Sequence, residues 1–494
     1  MIAKTLSFGL QGIEAYPVEI EADVNSGLPV VNLVGLPDSA VKESKERVKS
    51  AIRNSGFDWP AQRIIISLSP SGIRKEGPCF DLGIALSILQ ATGQINSAMI
   101  LNYYILGELS LDGALRPCKG ILPMAIEIQK QGGKNIIMPA ENACEAALVG
   151  KSNIYTFRTL KETADFLNNP ITPPFIPDTE NIFKESNKYE TDFSEVKGQA
   201  AAKRAIEVAV AGGHNIAMIG PPGSGKTMLA KRIPTIMPDL TFEEALEITK
   251  IYSVIGGIGD KERVILRRPF RSPHHSVSTI ALVGGGNFPL PGEISLAHKG
   301  VLFLDELPEF QRRNLENLRQ PLEEGEINIS RFRKRVTFPA SFILVAALNP
   351  CPCGYFGDPL KTCSCNTTKI NNYLSKISGP LLDRIDIHVE LPRVKYKQLA
   401  EKNEAESSMA IRERIKEARQ IQTDRFKNNR DKISLNSQMG GREIKKYCFL
   451  DKEAEDLMRL AINELNLSAR AYDKILKVSR TIADLSKEEA IQTK

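Results

Sequence analysis

The sequence predicts an α/β protein: a front domain of alternating strands and helices, a core built on a parallel sheet, and a helical lid at the C-terminal end. Three observations carry that prediction. Strand-like and helix-like segments alternate through two long stretches of the chain, the pattern of α/β architecture. A break separates them, over residues 167–193, with four prolines, many polar residues and no sustained apolar period. From residue 395 onward the text is almost purely helical.

Composition agrees with an ordinary globular protein, at 42% hydrophobic and 25% charged residues over 494 positions. At roughly 100–200 residues per domain this length predicts two to four domains. The formal net charge of +6 is too small to mark a nucleic-acid protein, so any such contact must come from local clusters. No apolar run approaches the roughly 18 residues needed to span a bilayer, and Glu14 and Glu19 fall too early for a signal-peptide core. The expected compartment is therefore the cytoplasm, without a membrane partner. There the eight cysteines are expected to be thiols or metal ligands rather than disulfides.

Taken in order, the front domain (residues 1–167) offers short strands at residues 18–24, 63–69, 103–111 and 135–138, rich in Val, Ile, Tyr or Leu. Val41, Val48, Ala51 and Ile52 recur at helical spacing, with Gly56 where that helix should end. A second helix is expected over residues 81–92, stopped by Gly93. This is an α/β or α+β domain. Residues 168–193 read as a semi-rigid linker, because proline fixes φ and lacks a donor. Alternation resumes over residues 194–394, the expected core. In the lid, residues 395–494, Ile475, Val478, Ile482 and Leu485 follow a 3–4–3 spacing, and Ser468 is placed to cap that helix.

The chemistry starts at Gly220, Pro221, Pro222, Gly223, Ser224, Gly225, Lys226 and Thr227, which match G-x-x-x-x-G-K-[ST] between an apolar strand and a helix. The glycines let backbone N–H groups turn toward phosphate oxygens, and the helix start adds partial positive charge. Lys226 is expected to reach the β- and γ-phosphates and Thr227 to bind Mg²⁺. An ordinary Gly-Pro turn would not need the flanking strand and helix. About 80 residues later, Val301, Leu302, Phe303 and Leu304 lead into Asp305 and Glu306. Asp305 is expected to hold Mg²⁺ through water, and Glu306 to polarise the attacking water. Paired carboxylates after a strand are common; their place after the phosphate loop gives them meaning.

With these two motifs the chain resembles the AAA+ ATPases. The resemblance implies that Asn349, ending a third apolar strand, is the polar residue called sensor 1. It implies that Arg384, in SGPLLDRID, is a finger reaching the neighbouring subunit's γ-phosphate, and that Arg470, in LSARAYDKIL, is sensor 2 of the lid. Each arginine taken alone reads as a surface ion pair. A finger acting in trans implies a ring.

Directly after Asn349, Cys351 and Cys353 face Cys363 and Cys365 across a loop with Gly354, Gly357 and Pro359. Four thiolates from two turns suit tetrahedral zinc, which would brace the strand ending in Asn349; unliganded or redox-sensitive thiols are the other reading. Ahead of that strand, residues 328–338 alternate like a hairpin around Arg331, Phe332, Arg333, Lys334 and Arg335. Cations meet phosphates and Phe332 can stack on a base, whereas the plainer reading is a solvated basic turn. In the helicase-loader, MCM and magnesium-chelatase branch of AAA+ proteins such a hairpin lines the pore, so the resemblance implies DNA. A second insertion, with Arg267, Arg268, Arg271, His274 and His275 before Gly284, Gly285 and Gly286, resembles that branch's helix-2 insert. Its His-His pair reads as a polar loop rather than a metal site.

Residues 33–52, 75–89 and 107–125 together resemble the Lon protease domain. Cys79 stands where that domain has its serine, and Leu122 where it has its lysine. A cysteine without a nearby base is a poor nucleophile, so a scaffold rather than a peptidase is expected. A degenerate Lon-like domain, a chelatase-type core with a C-x-C insert and a helical lid make the whole chain similar to the ComM/YifB family of magnesium chelatase-like proteins. That resemblance implies a bacterial hexameric DNA helicase or translocase promoting branch migration during homologous recombination in natural transformation. Its cofactors would be ATP, Mg²⁺ and Zn²⁺; its partners would be single- and double-stranded branched DNA, further copies of the chain, and recombination proteins. The rival reading is a chelatase-type motor remodelling a protein partner, although no D-x-S-x-S motif is present. An ATP-dependent protease is argued against by the missing dyad.

Overall fold

Strands that are apolar on both faces need cover on both sides, and the core sheet of this protein is built from such strands. The computed structural model describes residues 1–95, 98–150, 152–176, 189–257, 264–286, 288–331, 334–393, 406–427 and 433–493, with backbone alone at 331 and 334. Phe332 and Arg333 of the expected basic cluster lie outside the described residues, as do much of the expected linker and the expected start of the lid. The chain forms two compact units. One comprises Met1–Ser186 with Phe242–Leu266, the other Asn187–Thr241 with Arg267–Lys494.

The first unit carries a seven-stranded mixed sheet in the order Val31–Val34, Arg63–Ser69, Glu14–Asn25, Ile2–Gln11, Tyr103–Ile105, Asn135–Pro139, Asn153–Phe157. Period-two burial sets its faces: Val18, Ile20, Ala22 and Val24 point into the core from one strand, Ile64, Ile66 and Leu68 from its neighbour. Helix Ser39–Asn54 starts at Asp38, whose carboxylate accepts the Val41 amide at 2.7 Å, and buries Val41, Val48, Ala51 and Ile52. Helix Asp81–Ala91 is buried along most of its length. Both helices agree with the sequence reading. The expected strand over 103–111 splits instead. Tyr103–Ile105 joins the sheet, while Glu108–Leu109 pairs with Leu115–Arg116 in a separate small hairpin. Of the proline-rich stretch, Leu167 ends the buried side of helix Leu160–Asn168, and the Phe175 amide bonds the Ile154 carbonyl at 2.7 Å. Phe193 is fully buried in the second unit.

The second unit holds a five-stranded sheet in the order Phe270–Arg271, Val301–Leu304, Ile343–Leu348, Ile216–Ile219, Ile387–Glu390, every pair parallel. Val301–Leu304 and Ile343–Leu348 are buried at every position, as a sheet covered on both faces requires. The register pairs Ile219 with Leu348 and Leu304 with Ala346, so the carboxyl ends of three central strands open at one edge. Open α/β sheets bind ligands there. The C-terminal part is helical: Ser408–Phe426, Gly441–Tyr447, Lys452–Leu465 and Ala469–Leu485. Ser468 caps the last helix by accepting the Ala471 amide at 3.2 Å, as its sequence predicts. The buried positions of that helix are Leu476, Arg480, Thr481, Ala483 and Asp484, while Ile482 is 38% exposed. A polar network explains this. Buried Asp484 accepts from Arg425, Arg480 and Asn436, and buried charges must be paired in this way. Among the described residues no helix is long and apolar enough to cross a membrane.

Candidate nucleotide site and its surroundings

Strand Ile216–Ile219 delivers the chain to the open edge of the sheet, and helix Lys226–Ile236 leaves from it. The intervening loop turns on Gly223 and Gly225, whose φ values of 77° and 92° suit glycine, because a side chain there would be strained. Lys226 is buried, and its ammonium donates to the Gly220 carbonyl at 2.6 Å, the Pro221 carbonyl at 3.1 Å and Asn349 Oδ1 at 3.2 Å. Burial holds its pKa below the usual lysine range, with Asp305 and Glu306 pulling the other way. The Ser224 hydroxyl is buried and has no hydrogen-bond partner among the described residues. Such an orphaned group in a glycine loop at a helix start fits a phosphate oxygen as partner. Gln199, which sequence reasoning missed, ties this loop to the end of the sheet. Its amide donates to the Ser224 carbonyl at 3.1 Å and the Pro392 carbonyl at 2.7 Å.

Thr227 and Asp305 come together as expected: the threonine hydroxyl donates to Asp305 Oδ2 at 2.8 Å. The other oxygen, Oδ1, accepts the Glu306 amide at 3.0 Å. A hydroxyl and a carboxylate so placed are hard oxygen donors of the kind that hold Mg²⁺, whose charge would offset that of transferring phosphates. Glu306 itself has a left-handed backbone, φ 52°, uncommon for a residue with a side chain and concentrated at functional sites. Its carboxylate lies 3.6 Å from His275 Nδ1. That partner was not foreseen, since His275 was read as part of a polar loop. Strand Phe270–Arg271 pairs in parallel with Val301–Leu304, so the residues following each strand emerge side by side. His274 meets Ser276 instead, at 2.8 Å.

Asn349 ends strand Ile343–Leu348 and joins Lys226, as described. The two arginines lie elsewhere in the unit. Arg384 follows the short helix Gly379–Leu382 and its guanidinium pairs with Glu323 and bonds the Pro380 carbonyl. Arg470, in the first turn of the last helix, lies 3.9 Å from Asp383 and is largely exposed. Arg470 thus faces the residue that precedes Arg384.

The four cysteine sulfurs lie within 4.8 Å of one another. Cys351 and Cys353 are 3.4 Å apart, Cys351 and Cys363 3.7 Å, Cys353 and Cys363 3.5 Å. Metal–sulfur bonds of about 2.3 Å around a tetrahedral ion put sulfurs about 3.8 Å apart, whereas a disulfide needs about 2.05 Å. The donor set therefore fits a metal ion. Amides of Tyr355 and Ser364 hold the Cys353 thiol down to about 5, in the thiolate range. Between the acidic strand and the Asn349 strand, Glu326–Arg331 and Lys334–Pro339 form the expected antiparallel hairpin, in register from Glu326 with Pro339 to Arg331 with Lys334. Ile327, Val336 and Phe338 anchor it. Exposed Arg335 donates to Asn328 at 3.0 Å.

Residues 192–399 match the family described as magnesium chelatase, subunit ChlI; residues 20–142 match subunit ChlI of Mg-chelatase, and residues 405–494 the subunit ChlI C-terminal family. The chain is 42% identical over 494 residues to the competence protein ComM of Haemophilus influenzae, covering 99% of this chain and 95% of that one. It is also 42% identical to the YifB protein of Salmonella typhimurium, over 97% of this chain and 92% of the relative. The chain belongs to the ComM/YifB family. Membership of this magnesium-chelatase type of AAA+ protein implies ATP and Mg²⁺ as the cofactors of a ComM/YifB protein.

The front of the ComM/YifB chain has a second likeness, 32% identity over 138 residues to Lon protease 2 of Bacillus subtilis, covering 27% of this chain and 24% of that protein. Cys79, at the serine position, is buried, its sulfur 3.7 Å from the Phe8 carbonyl. Burial pushes its thiol far above the ordinary range, and Asp81 adds to the effect. Leu122 is buried with Leu148 and Val264. A thiol held protonated in an apolar core supports the scaffold reading over nucleophilic catalysis.

Proposed function

We propose that this ComM/YifB protein is an ATP-hydrolysing motor on DNA: a cytoplasmic hexameric helicase or translocase that promotes branch migration of recombining DNA during natural transformation. The observation that carries the reading is the place of the basic hairpin. Its base is closed by the Ala340 amide on the Gly325 carbonyl at 2.7 Å, and its second strand runs on into Ile343–Leu348 and Asn349. A change at the nucleotide thus has a short covalent route to a basic tip. The Haemophilus relative is a competence protein, which supports the same reading.

In this reading ATP lies along the loop from Gly220 to Thr227, with Mg²⁺ on Thr227 and Asp305 and Glu306 as the base that orients water. Asn349 senses the γ-phosphate, Arg384 reaches it from the neighbouring subunit, and Arg470 acts from the lid. Zinc sits on the four cysteines, and Arg331, Phe332, Arg333, Lys334 and Arg335 track the DNA backbone. Residues 1–167 serve as a Lon-like scaffold, joined by a linker over 168–193 to a core over 194–394 and a lid over 395–494. The test is strand displacement on forked, three-way and linear DNA with ATP. We expect displacement on branched substrates and ATPase activity stimulated by DNA. The matches to a magnesium chelatase subunit favour one rival, a motor that remodels a protein partner. ATPase activity indifferent to DNA, with no displacement on any substrate, would establish that rival instead.

A further inference from the structure

Gly354 directly follows Cys353, at the end of the turn that starts at Cys351, and it touches the phosphate loop. Its φ is 82°, and a Cβ placed on it would lie 2.5 Å from Pro222 Cδ, 2.9 Å from Pro222 Cγ and 3.8 Å from Asn349 Cγ. The bare backbone of the cysteine loop is therefore packed directly against the second proline of the nucleotide site. On its other side the turn is fixed by the cluster. The Gly354 amide bonds the Cys351 carbonyl at 2.9 Å, and the Phe356 amide meets Cys351 Sγ at 3.3 Å. Asn349, two residues before Cys351, accepts from Lys226. Metal binding is coupled to the folding of the loop that carries its ligands. Without a metal the four sulfurs lose the bonds that hold the two turns together and the loop loosens, so Pro222 and Asn349 lose the wall behind them.

We infer that the cysteine cluster and the nucleotide site are thermodynamically linked, with Gly354 as the positioning residue that carries the linkage. Zinc on Cys351, Cys353, Cys363 and Cys365 strengthens ATP binding, and ATP strengthens zinc binding by the same factor, since coupling between two binding sites is reciprocal. This rests on the reading of the loop as an ATP site and of the cluster as a zinc site. It adds that the metal sets the geometry of the phosphate loop rather than merely stabilising its own hairpin turn.

Gly357 supplies the control. It has a similar left-handed φ, 75°, but a Cβ there would meet nothing within 4 Å. Gly354→Ala and Gly357→Ala therefore impose similar backbone strain, and the first alone pushes on Pro222. The full-length protein is measured for zinc by elemental analysis, for ATP affinity by equilibrium binding, and for zinc affinity by competition with a chromogenic chelator, with and without a non-hydrolysable ATP analogue. Both variants should retain one zinc per chain. Gly354→Ala should bind ATP about tenfold more weakly than Gly357→Ala, and the analogue should raise zinc affinity in the wild type by a similar factor, about tenfold. Equal ATP affinities for the two variants, together with zinc affinity indifferent to nucleotide, would sink the linkage while leaving both sites standing. A wild type that carries no zinc, or binds no ATP, would instead remove the underlying site and the linkage with it.

Discussion

The Lys226 ammonium meets three oxygens, two of them main-chain carbonyls of its own loop, so the side chain is held in place before any nucleotide arrives. Phosphate oxygens then need only displace some of those contacts. Lys226→Ala should lose nucleotide binding. Glu306 is different: its carboxylate faces His275 and is more than half exposed, so Glu306→Gln should keep binding. Turnover should fall by about 100-fold or more, the range lost with a general base. Equilibrium nucleotide binding and steady-state phosphate release separate the two variants, and near-normal hydrolysis by Glu306→Gln would place the base elsewhere. These residues were legible in the sequence because a phosphate loop is contiguous: its chemistry is written in eight neighbouring positions. His275 and Gln199 were not, because each reaches the site through strand pairing or a turn between segments far apart in the chain. Parallel pairing of Phe270 with Val301 was the one signal that leads to His275, and it is visible only once the sheet order is known.

At the scale of elements, the basic hairpin was readable from alternation, since Ile327, Val336 and Phe338 all face the core and the polar positions between them face out. The lid helix was readable at its start, where Ser468 caps it, but not in its buried face. Periodicity marks apolar positions, while this helix buries an arginine–aspartate network whose partner Arg425 comes from another helix. The hairpin carries the element-scale prediction. Arg335 is exposed and its guanidinium donates to the neutral Asn328 amide, so its charge is available to phosphate. Arg335→Glu should weaken binding of any DNA sequence and lower the slope of log affinity against log salt by about one per lost phosphate contact. Basal ATPase should not change, because among the described residues no hydrogen bond links this side chain to the phosphate loop. DNA affinity at several salt concentrations, with basal ATPase alongside, reads both. An unaltered salt slope would make the hairpin a solvated turn.

For the whole molecule, helical period tells how a face points but not which core it joins. Helix Phe242–Ile255 lies in the first unit. There Leu246, Val264 and Leu266 pack with Leu122 and Leu148, and the Ser253 carbonyl accepts the Gly120 amide at 3.0 Å. Nothing in the local text of residues 242–266 distinguishes that home from the core on either side of it. Assembly is the other property that one chain's sequence holds only indirectly, and Arg384 is the residue that tests it. Its guanidinium is largely buried and pairs with Glu323, while Lys226, Thr227, Asp305 and Asn349 gather around the phosphate loop. A finger serving a neighbour's site has no need to join the phosphate loop of its own chain. Arg384→Ala should then bind ATP without hydrolysing it, and Lys226→Ala should not bind it at all. Mixed and reassembled, the two inactive proteins complement each other wherever the intact phosphate loop of an Arg384→Ala subunit faces the intact arginine of a Lys226→Ala subunit. In a ring of head-to-tail interfaces, random equal mixing makes about a quarter of the junctions of that kind, so ATPase activity should return to roughly that fraction of wild type and rise with protein concentration. A mixture no faster than its separate components would mean that each chain completes its own site.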